Sequence, residues 1–325
     1  MRNAPYPWQK DEWAQVQALL NQKRLPHALL LSGSSGLGKK QFAINFSQSV
    51  LCEERVGNGH ACGACRSCRL FEAGTHPDFL PVFPEAINKP IRVDAVRKLI
   101  DFLILSPSLK SRRIVMIHPA DALNIFAANS LLKTLEEPSA SALLLLVTDH
   151  PAVLPPTVRS RCQSLHFKPR VQSETRQWLY QYLGDKKKAD LALAQSHYAP
   201  LSAVDYADED YIKKRTELIA LLLNLSQDKE SPGTLADKCV QSLDISTLNI
   251  INAWIRDIIR VGSGVPVAEN PDYDETIFAY GQNSNIQKLF DCLDLILWLQ
   301  GQLGSGLNIA LQLEAFFIRY RAALQ

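Results

Sequence analysis

The chain has 325 residues, of which 46% are hydrophobic and 21% charged, and its net charge is +2. That length allows two or three domains with sizeable cores, in an ordinary soluble globular composition. The near-neutral balance excludes a global field aimed at nucleic acid or membrane, so any basic surface must be local. No apolar run is long enough to span a bilayer and residues 1–13 lack an apolar signal core, so a cytoplasmic location and no membrane partner are expected.

Residues 10–22 have the spacing of a short amphipathic helix, with Trp13, Val16, Leu19 and Leu20 on one face. The run HALLLSG then reads as a buried strand that meets a glycine loop. KKQFAINFSQSVLC follows with helical spacing at Phe42, Phe46 and Val50. HPDFLPVFP is a proline-bounded short strand, and RVDAVRKLIDFLIL is a helix with Val93, Val96, Leu99, Ile100 and Leu103 on one face. RRIVMIHPA is a second buried strand, and NIFAANSLLKTLEEPS a helix stopped near Pro138. ALLLLVTDHP and CQSLHF are further strands. Strands alternating with helices predict a mostly parallel α/β sheet. After Pro169 the pattern is helical almost throughout, with a break near Asp208 and a long loop over 262–275.

Three motifs carry chemistry. Gly33 to Lys40 reads GSSGLGKK, against the phosphate-loop pattern G-x-x-x-x-G-K-[ST]. Strand, glycine loop and helix come in the order such a loop needs: glycines admit a phosphate, the helix N-terminus offers its amides, and Lys39 reaches the outer phosphates. Position 40 should carry a hydroxyl for Mg²⁺ and carries Lys40 instead. The neighbouring strand RIVMI should end on an acidic metal ligand and runs into His118–Pro119, with no carboxylate until Asp121. Loss of both ligands predicts a decayed metal site and no ATP hydrolysis.

Of seven cysteines, Cys162, Cys239 and Cys292 are scattered and read as buried small hydrophobes. Cys52, Cys62, Cys65 and Cys68 are spaced C-x9-C-x2-C-x2-C, which suits a closed tetrahedral zinc site. The alternatives are four thiols without metal, or His60 or His76 in place of one cysteine. In PPTVRSRCQSLHF, Arg159 and Arg161 read on composition alone as ordinary surface charge before a strand.

The segments GSSGLGKK, the cysteine module, THPDF, AANSLLKTLEEPS, LLLVTDHPAVLPPTVRSRCQ and NIALQLEAFFIRY occur here in the order found in one family. The chain resembles the delta-prime subunits of bacterial replicative clamp loaders, AAA+ proteins of DNA polymerase III, strongly over its first 170 residues and beyond them by length and helical character. The resemblance implies an α/β AAA+ domain with a RecA-like parallel sheet over 1–167, carrying the P-loop and a zinc module at about 52–68. A small helical lid over 168–208 and an all-α collar over 209–325 would follow. It also implies a hetero-pentamer with gamma/tau and delta subunits that loads the sliding clamp onto primer-template DNA. Membership would be in the holoenzyme, a DNA-directed DNA polymerase and nucleotidyltransferase.

Within that resemblance Arg161 of Ser160–Arg161–Cys162 is the arginine finger given in trans to a gamma/tau ATP site. Thr148 matches the first sensor position. Active gamma/tau chains carry Asp-Glu where this chain has His118–Pro119, and a nucleotide-sensing lid arginine where it has Leu201. Gly33, Gly36, Gly38, Lys39 and Thr148 are then a vestigial or weak ATP/ADP site without turnover. An active gamma/tau-type ATPase is the alternative reading, and a zinc-containing DNA-binding module a third, which the near-neutral charge disfavours.

Overall fold

The fold is described from a computed structural model over residues 4–86, 89–109, 112–170, 173–303 and 307–324. It divides into two compact units, 1–178 and 179–325. The first runs through α1 (Lys10–Asn21), β1 (Ala28–Ser32), α2 (Lys39–Leu51), α3 (Arg66–Glu72), β2 (Phe79–Val82), α4 (Val93–Ile104), β3 (Arg113–Ile117), α5 (Ile125–Ser130) and α6 (Leu132–Glu136). It continues through β4 (Ala142–Thr148), α7 (Pro156–Arg159) and β5 (Gln163–His166) into α8 (Ser173–Leu183), which crosses into the second unit.

The strands form one five-stranded sheet in the order β2-β3-β4-β1-β5, and every pairing is parallel. β1, β3 and β4 are buried at every position, as their largely apolar sequences require when helices cover both faces; the polar exceptions, Ser32, Arg113 and Thr148, stand at strand ends. The edges differ: β2 carries Pro81, which cannot donate to a ladder, and β5 exposes three of its four residues. On one face Ala28, Leu30, Val115, Ile117, Leu144 and Leu146 pack with Val96, Leu99 and Leu103 of α4 and Ala127 and Ala128 of α5. α2 lies over β1, β3 and β4, and its Phe42 meets Phe167 edge to face at 5.0 Å.

Two predicted elements differ from expectation. α1 buries Trp13 and Val16 together with Glu12 and Gln17, while Leu19 and Leu20 are only half-buried. The reason is local. Trp13 Nε1 donates to Asn58 O and Gln17 Nε2 to Ser49 Oγ, so polar partners draw that face inward. The segment 125–136 is two short helices, because the N–H of Leu131 bonds to Ala128 O, a tighter i→i−3 closure. Leu131 itself is fully buried.

Every regular element of the second unit is a helix among its described residues. It contains α9 (Lys186–Gln195), α10 (Pro200–Tyr206), α11 (Glu209–Ser226), α12 (Pro232–Gln241), α13 (Ile245–Gly262), α14 (Asp274–Asn283), α15 (Ile286–Gln302) and α16 (Ile309–Leu324). α13 is its central helix, with Leu248, Ile251, Trp254, Ile255 and Ile258 buried against Leu289, Ile296, Phe316 and Phe317. The buried indole of Trp254 donates to Tyr320 Oη at 2.8 Å, which satisfies the polar edge of an otherwise apolar core.

The loop after α13 is ordered by a buried acid. Asp257, with no exposed surface, accepts from the backbone N–H groups of Ala268, Glu269 and Asn270. Arg215 then holds Asp272 through both terminal nitrogens at 2.7 Å.

Candidate functional site

The glycine loop leaves the C-terminal end of β1, a central strand, and enters α2. This is the crevice where open parallel sheets place their ligands. Two of its glycines are dictated by packing. A Cβ on Gly33, at φ +142, would lie 2.2 Å from Phe167 O; one on Gly38, at φ +79, would lie 2.8 Å from the Tyr6 ring. Trp8 Nε1 and Gln9 Nε2 both donate to Leu37 O, at 3.0 and 2.8 Å, so the segment before α1 rests on the loop.

α2 starts without a side-chain cap, and its first turn holds Lys39 and Lys40 and no acidic residue. Cations at the positive end of a helix dipole are unfavourable unless an anion joins them. The Lys39 side chain is 3% exposed, and its ammonium meets Asp149 Oδ1 at 2.6 Å. It also donates to Gly33 O at 2.7 Å and Ser34 O at 2.5 Å. Lys40 points elsewhere, its ammonium 4.9 Å from the centre of the Phe83 ring.

Thr148, the last residue of β4, donates to Asp121 Oδ1 at 2.5 Å and accepts from His150 N at 3.0 Å. The acid that the sequence places too late after β3 therefore reaches the threonine. His118 stands where a metal-binding acid would be expected. Burial pushes its imidazole below the usual range, and the Lys40 charge adds to that effect. Its Nδ1 is buried without a hydrogen-bond partner.

Arg161 lies between α7 and β5. Its guanidinium donates to Thr157 O at 2.9 Å and to Glu136 Oε1 at 2.5 Å, and the side chain is 34% exposed. Arg159, two residues earlier, is half-buried, and its Nε makes no hydrogen bond within the described residues. Cys162 is half-buried where full burial was expected, although Cys239 and Cys292 are buried. Its desolvated surroundings still push the thiol up to about 12. Leu201 sits in the first turn of α10, half-buried.

The four cysteines close on one another, with all their sulfurs within 4.8 Å. Cys52 and Cys65 are 4.0 Å apart and Cys62 and Cys68 3.9 Å, near the ~3.8 Å edge of a tetrahedron built with Zn–S bonds of about 2.3 Å. Backbone N–H groups of Cys62, Cys65 and Cys68 donate to the sulfurs of Cys52, Cys62 and Cys65. Such bonds favour thiolates. The N–H groups of Ala64 and Cys65 hold the Cys62 thiol down to about 7, while burial pushes Cys52 and Cys68 up. The donor set fits a metal ion. His60 stacks instead on Trp13, and His76 bonds Ser67 Oγ and the Asp78 N–H.

Sequence reasoning missed Asp149, Asp121 as the partner of Thr148, and the Tyr6–Gln9 cover. The signal for Asp149 was an acid directly after the strand that ends beside the loop.

Sheet and loop define the class: a P-loop α/β domain of AAA+ type, followed by an all-helical C-terminal region. Residues 8–171 match the sequence profile of the family described as DNA polymerase III, delta subunit, and residues 209–321 that of its C-terminal region. The DNA polymerase III subunit delta' of Pseudomonas aeruginosa is 33% identical over 97% of this chain and 97% of its own length. That of Escherichia coli is 36% identical over 54% of this chain and 52% of its own. The tau subunit of Bacillus subtilis is 35% identical over 49% of this chain and 27% of its own. The chain belongs to the delta-prime family of DNA polymerase III subunits.

Proposed function

We propose that the chain is the non-hydrolysing, stator-like subunit of a replicative clamp loader, and that it supplies Arg161 in trans to the ATP site of an adjacent gamma/tau subunit. The observation that carries this reading is the double loss of magnesium chemistry, Lys40 in the first turn of α2 and His118 at the end of β3. Phosphoryl transfer depends on a metal that bridges the phosphates. Neither an ammonium nor this partly desolvated imidazole replaces the missing oxygen ligands. Arg161 suits the role given to it. A planar guanidinium neutralises charge on a transferring phosphoryl group, and it is held near the surface by Thr157 and Glu136.

In this reading the partners are delta and three gamma/tau chains in a cytoplasmic hetero-pentamer that opens the sliding clamp and places it on primer-template DNA. Gly33, Gly36, Gly38, Lys39 and Thr148 are a vestigial or weak nucleotide site. Cys52, Cys62, Cys65 and Cys68 hold a structural Zn²⁺, which would tie the loop over 52–68 together without taking part in the reaction. The chain would divide into an AAA+ domain over 1–167, a lid over 168–208 and a collar over 209–325; the boundary at 208/209 is supported by Asp208, which caps α11 through the Asp210 N–H, and by the C-terminal profile that starts at 209.

The test is ATP turnover by the purified chain, then by the complex assembled from gamma/tau, delta and this chain. The reading expects none above background from the chain alone and DNA-stimulated turnover from the complex. A gamma/tau-type ATPase is the second reading, favoured by the retained Gly33, Gly36, Gly38 and Lys39. Steady turnover by the isolated chain, lost on Lys39→Ala, would establish it and end the first.

A further inference from the structure

We propose that Asp149 is an internal anion that takes the place of a nucleotide phosphate on Lys39, so that this residue sets the loop's selectivity against nucleotide. The proposal rests on the reading of Gly33–Lys39 as a retained nucleotide loop and specifies what restrains it.

An ammonium has three N–H donors and no acceptor. Those of Lys39 are matched by three oxygens, Gly33 O at 2.7 Å, Ser34 O at 2.5 Å and Asp149 Oδ1 at 2.6 Å. With the side chain 3% exposed, no donor is left facing outward. The start of α2, with no side-chain cap and two lysines in its first turn, favours an anion, and Asp149, the residue after β4, supplies one to the Lys39 ammonium. The adjacent Thr148 is engaged in the same way by Asp121 at 2.5 Å. Both polar groups retained from a nucleotide site are thus turned toward the chain's own carboxylates.

A phosphate that arrives must displace a carboxylate tethered to the same fold. Its apparent affinity is reduced by the fraction of molecules in which Lys39 is released. The Asp149 side chain is 32% exposed, so solvent and ligand reach the carboxylate that has to move.

The experiment uses the full-length chain with ADP and with inorganic pyrophosphate as probes. Calorimetric titration is combined with thermal unfolding for wild type, Asp149→Asn, Asp149→Ala and Asp149→Asn with Lys39→Ala. Asp149→Asn is expected to tighten both probes by about tenfold or more, which corresponds to a lock closed in at least about nine molecules in ten. The gain should vanish in the double variant. Asp149→Ala should show at least the same gain; if it does not fold, the nearly isosteric Asn variant carries the test. Equal, Lys39-dependent binding by wild type and Asp149→Asn would overturn the lock and leave the nucleotide loop standing. A gain that survives Lys39→Ala would reduce the effect to lost negative charge and overturn it. Silence from every variant would overturn both the lock and the retained loop.

Discussion

Lys39 and Arg161 are cations of the same unit, and their surroundings are opposite. Lys39 is buried at the start of a central helix and neutralised by Asp149. Arg161 is 34% exposed on a short segment between α7 and β5, held by one backbone carbonyl and one surface carboxylate. A buried charge must be compensated within the fold, and the compensation consumes its chemistry. A half-exposed guanidinium retains donors for a second molecule. The lysine that matches the family's phosphate-loop signature is therefore engaged within the fold, and the arginine that reads as surface charge is the one proposed to act on another subunit.

The helical unit also contains buried, compensated charges. Asp257, Arg215 and Glu269 are all buried, and each is engaged by partners within 3 Å. Their role is to fasten the loop that leads to α14.

The largest expected effect tests the exposed side of this contrast. Arg161→Lys keeps the charge and loses the planar fork, so turnover at the gamma/tau site proposed to receive it should fall by about 10³. Single-turnover ATP hydrolysis by the assembled complex reads this, and near-normal rates would show that charge alone suffices.

Next is the cysteine cluster, a half-buried group of the first unit in which Cys52 and Cys68 are buried. Cys65→Ser, or dialysis against a chelator, should remove the metal and lower stability by several kcal/mol, because metal binding free energy is folding free energy. Metal analysis and Trp13 fluorescence check it, since Trp13 stacks on His60 and donates to Asn58 O within that loop. Well below one zinc per native chain would count against the site.

A smaller effect comes from Glu269. Burial pushes its carboxyl from 4.5 up to about 7. The folded state then holds a proton that the unfolded state releases, so this contribution is complete below about pH 4.5 and is lost as pH rises toward 7. It amounts to on the order of 3 kcal/mol. His197 lies 3.4 Å away on an exposed side chain, and partial desolvation with the nearby Arg256 charge shifts its imidazole downward, so it acts in the opposite direction. The measurement is therefore the difference in urea stability between wild type and Glu269→Gln across pH 4 to 8. A flat difference would contradict the assignment.

The smallest effect is expected from Glu136→Ala. Its pair with Arg161 is exposed, 51% for Glu136, and exposed pairs contribute about 0–1 kcal/mol. Stability should barely move, and ATP turnover by the complex should change by only a few-fold. A loss as large as that of Arg161→Lys would make Glu136 essential to the finger's placement.

Much of the fold was legible because buried parallel strands are written as apolar runs, as in IVMI and ALLLLV. The cysteine cluster was legible because its ligands lie close together in sequence. The Lys39–Asp149 and Thr148–Asp121 contacts were not, since parallel pairing brings together strand ends that are far apart in the chain. The burial of Glu12 and Gln17 in α1 and the interruption at Leu131 were hidden for a related reason. Periodicity reports apolar faces and is silent on polar partners supplied by another segment. Arg161 was legible only through the family resemblance, because one arginine before a strand carries no pattern of its own.

The most direct test of the central claim is the DNA-stimulated ATPase of the clamp-loader complex assembled with Arg161→Ala in this chain, compared with the same complex carrying the wild-type chain. The account predicts an intact complex in which hydrolysis at the adjacent gamma/tau site is lost. Equal turnover by the two complexes would contradict it.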